Sequence, residues 1–127
     1  MELINREEKE TPMRILFAFT LSLLLGGFAS ASCLRPDSAP AIPNGTTADE
    51  ASMKQAHDAI QAYVNALEAF QACKKQEVEQ APSDISDETK LTWMAQGDAA
   101  IDAANLLAAQ FSYALKSFKE RSEKTVN

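Results

Sequence analysis

Few side chains in this sequence are of types that do chemistry. The 127 residues contain one histidine, His57, and two cysteines, Cys33 and Cys73. Acid–base catalysis needs a partner within hydrogen-bond reach of the imidazole. The adjacent Asp58 is expected to point about 100° away around a helix. We therefore interpret His57 as a partly exposed structural residue.

Acidic side chains form two groups that could bind a cation. Asp98 and Asp102 stand four residues apart, so on a helix they share one face, where paired carboxylates can hold a metal or transfer protons. Without further ligands, such a pair is normally a solvated face. Asp84, Asp87 and Glu88 lack the glycine and ligand spacing of a calcium loop and suit a helix start.

Catalytic and cofactor motifs are missing from the sequence. A Ser-His-Asp arrangement cannot be assembled around this histidine, and neither G-x-S-x-G nor S-x-x-K supports one. The four glycines form no phosphate-binding loop. A single histidine and the absence of C-x-x-C are unlike a zinc site. We predict a protein that is not an enzyme and needs neither cofactor nor metal.

An apolar run near the start is typical of a secretory signal peptide. Arg14 precedes it, residues 15–28 carry no charge, and Ala29 and Ala31 fit a small-residue cleavage site. The run is too short to span a bilayer, which takes about 20 residues. We predict a signal peptide over residues 1–31 and no stable membrane span after its removal.

Two features of this segment leave alternatives open. Residues 1–12 hold four glutamates and two basic residues, an unsuitable start for a signal, so we interpret them as a mis-annotated extension before Met13. Cleavage before Ser32 predicts a periplasmic or secreted protein. The alternatives are a lipoprotein anchored through Cys33, although Ser30 replaces the usual leucine, and an uncleaved anchor.

The charge balance limits the partners. The whole chain has a net charge of −6, and residues 1–31 hold three basic and four acidic residues, which leaves −5 on the remainder. Mild acidity argues against nucleic acid and against a basic membrane-binding surface. The length after cleavage suits one small domain.

The residue pattern of the remaining chain predicts an arm followed by two helices. Residues 32–47 are proline-rich, residues 48–80 and 86–123 have helical periodicity, and Thr47-Ala-Asp-Glu50 has the form of a capping box. Apolar residues at steps of three and four predict one buried row on each helix. The first row is Met53, Ala56, Ile60, Tyr63, Leu67 and Phe70. The second is Ile101, Ala104, Ala108, Phe111, Leu115 and Phe118.

These elements predict an all-α fold, a two-helix antiparallel hairpin over residues 48–127 with a proline-rich extended N-terminal arm. An even pair of cysteines in an oxidising compartment indicates a disulfide, with unpaired thiols as the alternative. A helix from Ala48 to Cys73 rises about 38 Å, and a polyproline arm from Cys33 to Thr47 covers about 43 Å. The matched lengths predict that the disulfide pins the arm along the first helix, with Pro40, Ile42 and Pro43 in the groove between the helices.

The residues around the arm also carry a resemblance. The run from Pro40 to Met53, PAIPNGTTADEASM, followed by Ala62-Tyr63 and Cys73, resembles a group of small exported Cys/Pro-rich helical proteins of Gram-negative bacteria with no assigned function. It covers roughly residues 33 to 73. The resemblance implies a compartment and no activity.

The apolar stripe of the second helix predicts the mode of action. It is wider than one antiparallel neighbour covers, and an unpartnered apolar stripe usually binds a protein. We predict an exported envelope protein that acts by protein–protein interaction or as a homodimer. The alternative is small-ligand or metal binding through His57 or the Asp98/Asp102 face. The predicted interaction face consists of Leu106, Leu107, Phe111, Leu115 and Phe118.

Overall fold

A computed structural model describes residues 33–126, and the predicted signal peptide over residues 1–31 therefore lies outside the described residues. Helix α1 covers Glu50–Glu79 and helix α2 covers Asp87–Val126. The two pack against each other, and residues 33–126 contain no strand. The predicted all-α two-helix hairpin is confirmed. Each helix begins slightly later than expected, and α2 extends three residues further.

The start of α1 differs from the predicted capping box. Asp49 is the N-cap residue, and its carboxylate accepts a hydrogen bond of 2.7 Å from the backbone N–H of Ser52. Thr47 belongs instead to the preceding turn, where its N–H donates to the carbonyl of Asn44 at 3.1 Å. Because Thr47 is hydrogen-bonded to Asn44 within this turn, Asp49 is the residue that caps the helix.

The cap makes the stability of α1 depend on pH. The hydrogen bonds to Ser52 hold the pKa of the exposed Asp49 below its ordinary value. Its contribution is present above the unfolded value of about 4 and is lost as pH falls through the lower folded value. Asp49→Ala should lower the free energy of unfolding at pH 7, and the deficit should shrink below about pH 4 in urea titrations.

Asp49→Asn provides the control for this prediction, since asparagine also caps helices but does not titrate. This variant should stay near wild type at pH 7 and lose the pH dependence that the carboxylate contributes. An alanine variant whose deficit is the same at pH 2 and pH 7 would contradict the assignment.

A short turn connects the helices and directs α2 back along α1. The N–H of Gln80 donates to the carbonyl of Gln76 at the end of α1, and Pro82 follows where the chain has left the helix. Ser86 then begins α2, because its hydroxyl accepts from the N–H of Thr89 at 3.2 Å. Polar caps at both ends of the turn satisfy backbone groups that the helices leave unpaired.

The hairpin core has two clusters along its length. The first lies near the arm and the C-terminal half of α2, and the second lies towards the interhelical turn. Tyr63 and Val64 are half-buried and pack against both clusters. The first contains Met53, Ala56, Ile60, Leu107, Phe111 and Ala114. The second contains Leu67, Phe70, Ala100 and Ala104.

The buried row of α1 matches its prediction more closely than that of α2. Of the six residues predicted on α1, only Tyr63 is half-buried and the others are buried. On α2 the prediction was wrong at Ala108, which is exposed, and Ile101 is only half-buried. The row that faces α1 passes through Ala100 and Leu107 instead. An alanine-rich helix offers several similar faces, so packing against α1 selects among them.

Candidate functional site

The disulfide joins the arm to the far end of α1. Cys33 and Cys73 are bonded, with 5.7 Å between their Cα atoms and a sequence separation of 40 residues. Cys33 is half-buried and packs against the second core cluster. The predicted disulfide is therefore confirmed. It places the two ends of the segment 33–49 at opposite ends of α1.

The other end of the arm lies against α2. Gly45 is buried, and a Cβ atom built on it would overlap the carbonyl oxygen of Ala114. Ile42, three residues earlier, is half-buried and packs against the first core cluster. Only a residue without a side chain permits this approach of two backbones. The arm thus closes one side of the hairpin near Ala114.

Arg121 holds the same end of the arm by hydrogen bonds. Its guanidinium donates to the carbonyl oxygen of Thr46 at 2.8 Å and to that of Ala48. Its Cζ atom also lies 5.2 Å from the centroid of the Phe118 ring. A planar guanidinium suits two neighbouring carbonyl groups because its donors form a rigid fork. Arg121 lies near the end of α2, and no sequence signal indicates this contact.

At the opposite end of the hairpin, a lysine next to Cys73 contacts aromatic rings on both helices. The Lys74 Nζ atom lies 5.7 Å from the Phe70 ring centroid and 6.0 Å from the Trp93 ring centroid. It donates to the Glu77 carboxylate at 2.9 Å. Its side chain is only 12% exposed. Contact with two rings and a carboxylate compensates the ammonium group for the water it loses.

One set of potential metal ligands occurs among residues 33–126. The sulfur atoms of Cys33 and Cys73 and a carboxylate oxygen of Glu77 lie within 4.8 Å of one another. Both sulfurs are bonded to each other in the disulfide. Metal ligation requires the thiolate form, so this set is not a binding site while the disulfide is intact.

His57 has a partner that the sequence did not predict. Its Nδ1 atom lies 3.2 Å from an oxygen of Asp58, and the expectation that Asp58 lies out of reach was wrong. Both side chains are 60% exposed, so they are free to turn towards each other. Hydrogen bonds from Lys54, at 3.0 Å, and then from His57 lower the pKa of Asp58. His57 also packs its ring against Phe111, at 5.9 Å between centroids.

The second predicted acidic pair lies on the surface of α2. Asp98 accepts a hydrogen bond of 3.4 Å from the Gln71 side chain on α1, and Asp102 is exposed. Asp98 also borders a depression of about 20 Å³ beside Gly97, which has room for about one water molecule. Ligand or metal binding by His57 or by this pair stays a prediction.

The five residues of the predicted interaction face do not share one environment. Leu107 and Phe111 are buried in the first core cluster, and Leu115 and Phe118 are half-buried against it. Only Leu106 is exposed, at 61%. An interface that used all five would require the hairpin to open, because α1 and the arm cover the inner members.

The exposed apolar surface of α2 lies on the side opposite α1. Seven exposed residues follow one another there at steps of three or four, and we refer to them as the outer face. Its three large apolar members, Leu91, Leu106 and Tyr113, are 64%, 61% and 75% exposed. Such spacing keeps residues on one side of a helix. The outer face consists of Leu91, Ala95, Ala99, Asp102, Leu106, Ala109 and Tyr113.

No protein-family model, curated protein or solved structure matches this chain.

Neither helix among the described residues is long and apolar enough to cross a membrane.

Proposed function

We propose that the chain is an exported, non-enzymatic protein of the cell envelope that acts by binding another protein through the outer face of α2. The observation that carries this proposal is the exposure of Leu106 and Tyr113 on a helix whose opposite side is buried. Leucine and tyrosine side chains exposed in one row contribute binding energy when a partner covers them.

The disulfide supports the proposed compartment in two ways. A disulfide persists in oxidising compartments such as the periplasm and the extracellular space, and Cys33 is bonded to Cys73. The same sulfur of Cys33 would carry the lipid in a lipoprotein, and one sulfur cannot bear both bonds. The disulfide thus favours a periplasmic or secreted protein over an anchored one, in agreement with the export signal expected over residues 1–31.

The fixed arm supports the choice of surface. The arm is bonded at Cys33 and held by Arg121 near its other end. It packs against the first core cluster through Ile42 and so covers apolar surface of the hairpin. The arm leaves the outer face of α2 uncovered, and this face aligns three large apolar side chains, Leu91, Leu106 and Tyr113, in one row. A partner that binds there does not need to displace the arm.

Site-specific photo-crosslinking in living cells tests the proposal. A photoreactive amino acid at Leu106 should give a crosslinked product in the periplasmic or extracellular fraction. The same group at Asn65, on the exposed surface of α1, should give none. A chain found only in the cytoplasm, or equal crosslinking from both positions, would contradict the proposed function.

A further inference from the structure

We propose that the partner of the outer face is a second copy of this chain, bound as an antiparallel homodimer with Leu106 and Ala109 at its two-fold axis. This inference rests on the proposed function, because it names the partner of the same surface. It is argued from the spacing of the outer face and from the distribution of charge along α2.

The outer face has the spacing of a helix–helix interface. Alternating steps of three and four lead from Ala99 to Tyr113, the pattern with which helices pack side by side. All members of the row are exposed. Ala99 and Ala109 allow two helix backbones to approach closely, while Leu106 and Tyr113 supply the side chains that fill the space between them.

The charges of α2 favour an antiparallel partner. Residues 87–106 hold four acidic residues and one lysine, whereas residues 107–126 hold three lysines, one arginine and two glutamates. The first half is therefore net negative and the second net positive. A parallel copy would bring like charges together, and an antiparallel copy brings the acidic half against the basic half. Charge complementarity of this kind selects orientation and partner.

Two antiparallel registers let the row of one copy pack between residues of the other. With the axis at residue 104, Asp102 lies opposite Leu106 of the other copy. That copy has no lysine or arginine within one helical turn of Leu106. With the axis between residues 107 and 108, Asp102 lies opposite Tyr113 of the other copy, whose phenol can donate to the carboxylate. Lys116 of that copy then lies opposite Ala99, between Asp98 and Asp102.

The second register is the one that satisfies the carboxylates of the interface. A carboxylate at an apolar contact needs a donor or a cation, and Tyr113 and Lys116 of the other copy supply both. Lys116 also approaches Glu120 within its own helix, at 3.9 Å, in an exposed pair. Such a pair contributes little energy, so the lysine is free to turn towards Asp102 of the other copy.

The dimer should be reversible. One pair of helices buries less than the roughly 1,600 Å² of a standard stable interface. We therefore expect dissociation in the micromolar range or above. The experiment must cover that range with the disulfide intact.

Sedimentation velocity of the exported protein from 5 µM to 500 µM is the direct test, with these concentrations chosen to bracket about 50 µM. Wild type should shift from monomer to dimer. Ala109→Glu at the axis should raise the dissociation constant at least tenfold. Ala66→Glu, at an exposed alanine of α1, should leave it unchanged. Circular dichroism verifies that both variants keep the helical content of wild type.

A charge exchange tests the register. Asp102→Lys should weaken the dimer, as should Lys116→Glu, because each brings like charges together at the neighbouring positions 102 and 116 of the two copies. The double variant restores an opposite-charge pair between positions 102 and 116, and it should bind at least about threefold more tightly than either single variant. Failure of the double variant to recover would overturn the register and with it the inference.

The remaining outcomes separate this inference from the proposed function. A strict monomer at 500 µM, or a dimer insensitive to Ala109→Glu, overturns the homodimer. If a photoreactive group at Leu106 still captures a different envelope protein, the proposed function stands without the homodimer. If Leu106 captures nothing and the protein is monomeric, both are wrong.

Discussion

Replacing Cys73 by serine should lower the free energy of unfolding by about 4 kcal/mol. The disulfide closes a loop whose ends, Cys33 and Cys73, are separated by 40 residues in sequence, and the chain-entropy relation for a loop of that length gives about 4 kcal/mol. Without the bond the unfolded chain gains conformational freedom that the folded hairpin does not have. Urea unfolding with and without a reductant measures the difference.

Reduction is the matched control for this substitution. Cys33 packs against the second core cluster, so serine at both cysteines removes some packing as well as the bond, whereas a reductant removes the bond alone. Reduced wild type should approach the double variant Cys33→Ser/Cys73→Ser, which should not respond to the reductant. A change of less than about 1 kcal/mol on reduction would show that the folded hairpin does not depend on the bond.

Gly45→Ala should cost about 3 kcal/mol or detach the end of the arm. The added Cβ atom would overlap the carbonyl oxygen of Ala114 and lie 3.0 Å from the backbone nitrogen of Phe118. Both atoms belong to the backbone of α2 and cannot turn aside as a side chain does. Overpacking of this kind costs about 1–3 kcal/mol or more. Urea unfolding measures the loss.

Amide hydrogen exchange shows where the effect of Gly45→Ala arises. The N–H groups of Thr47 and Ala48 donate to the carbonyl of Asn44, at 3.1 and 2.8 Å, in the turn beside Gly45. They should exchange faster in the alanine variant if the arm lifts from α2. The interior of α1 should keep its protection, since its contacts with α2 are unchanged.

Gly97→Ala is the contrasting substitution in the same hairpin. A Cβ atom there would meet the Cγ atom of Gln71 at 3.2 Å, and this flexible side chain can move aside. Alanine is about 1 kcal/mol better than glycine inside a helix. Gly97→Ala should therefore raise the stability by up to about 1 kcal/mol. Equal losses at both glycines would contradict the close approach of Gly45 to Ala114.

The sequence contained enough information for the fold because its signals are local. Apolar residues at helical steps predict the buried side of α1, and the acidic residues Glu50, Asp87 and Glu88 indicate the helix starts to within two residues. The even pair of cysteines indicated the disulfide. The course of the arm followed from the lengths, because the arm and the segment of α1 up to Cys73 span similar distances. The register of α2 was harder, because alanine at Ala104 and at Ala108 looks the same until a neighbour packs.

The contacts that hold the arm could not be predicted because they join residues far apart in sequence. Arg121 reaches the carbonyl of Thr46 across 75 positions, and a single arginine near a helix end has no feature that indicates such a partner. No sequence feature at Gly45 indicates that its lack of a side chain serves the approach to Ala114. Of the predicted interaction face, only Leu106 is exposed, since α1 and the arm cover the other members.

The disulfide has a further consequence for cleavage of the chain by a protease. With Cys33 joined to Cys73, the arm and most of α1 form a covalent ring, and α2 continues from it as a tail. The exposed stretch 37–39 is where an enzyme would cut this ring most readily. A single cut there opens the ring but leaves both pieces covalently attached. The nicked chain stays a single molecule, heavier only by the water of hydrolysis, until the bond is reduced.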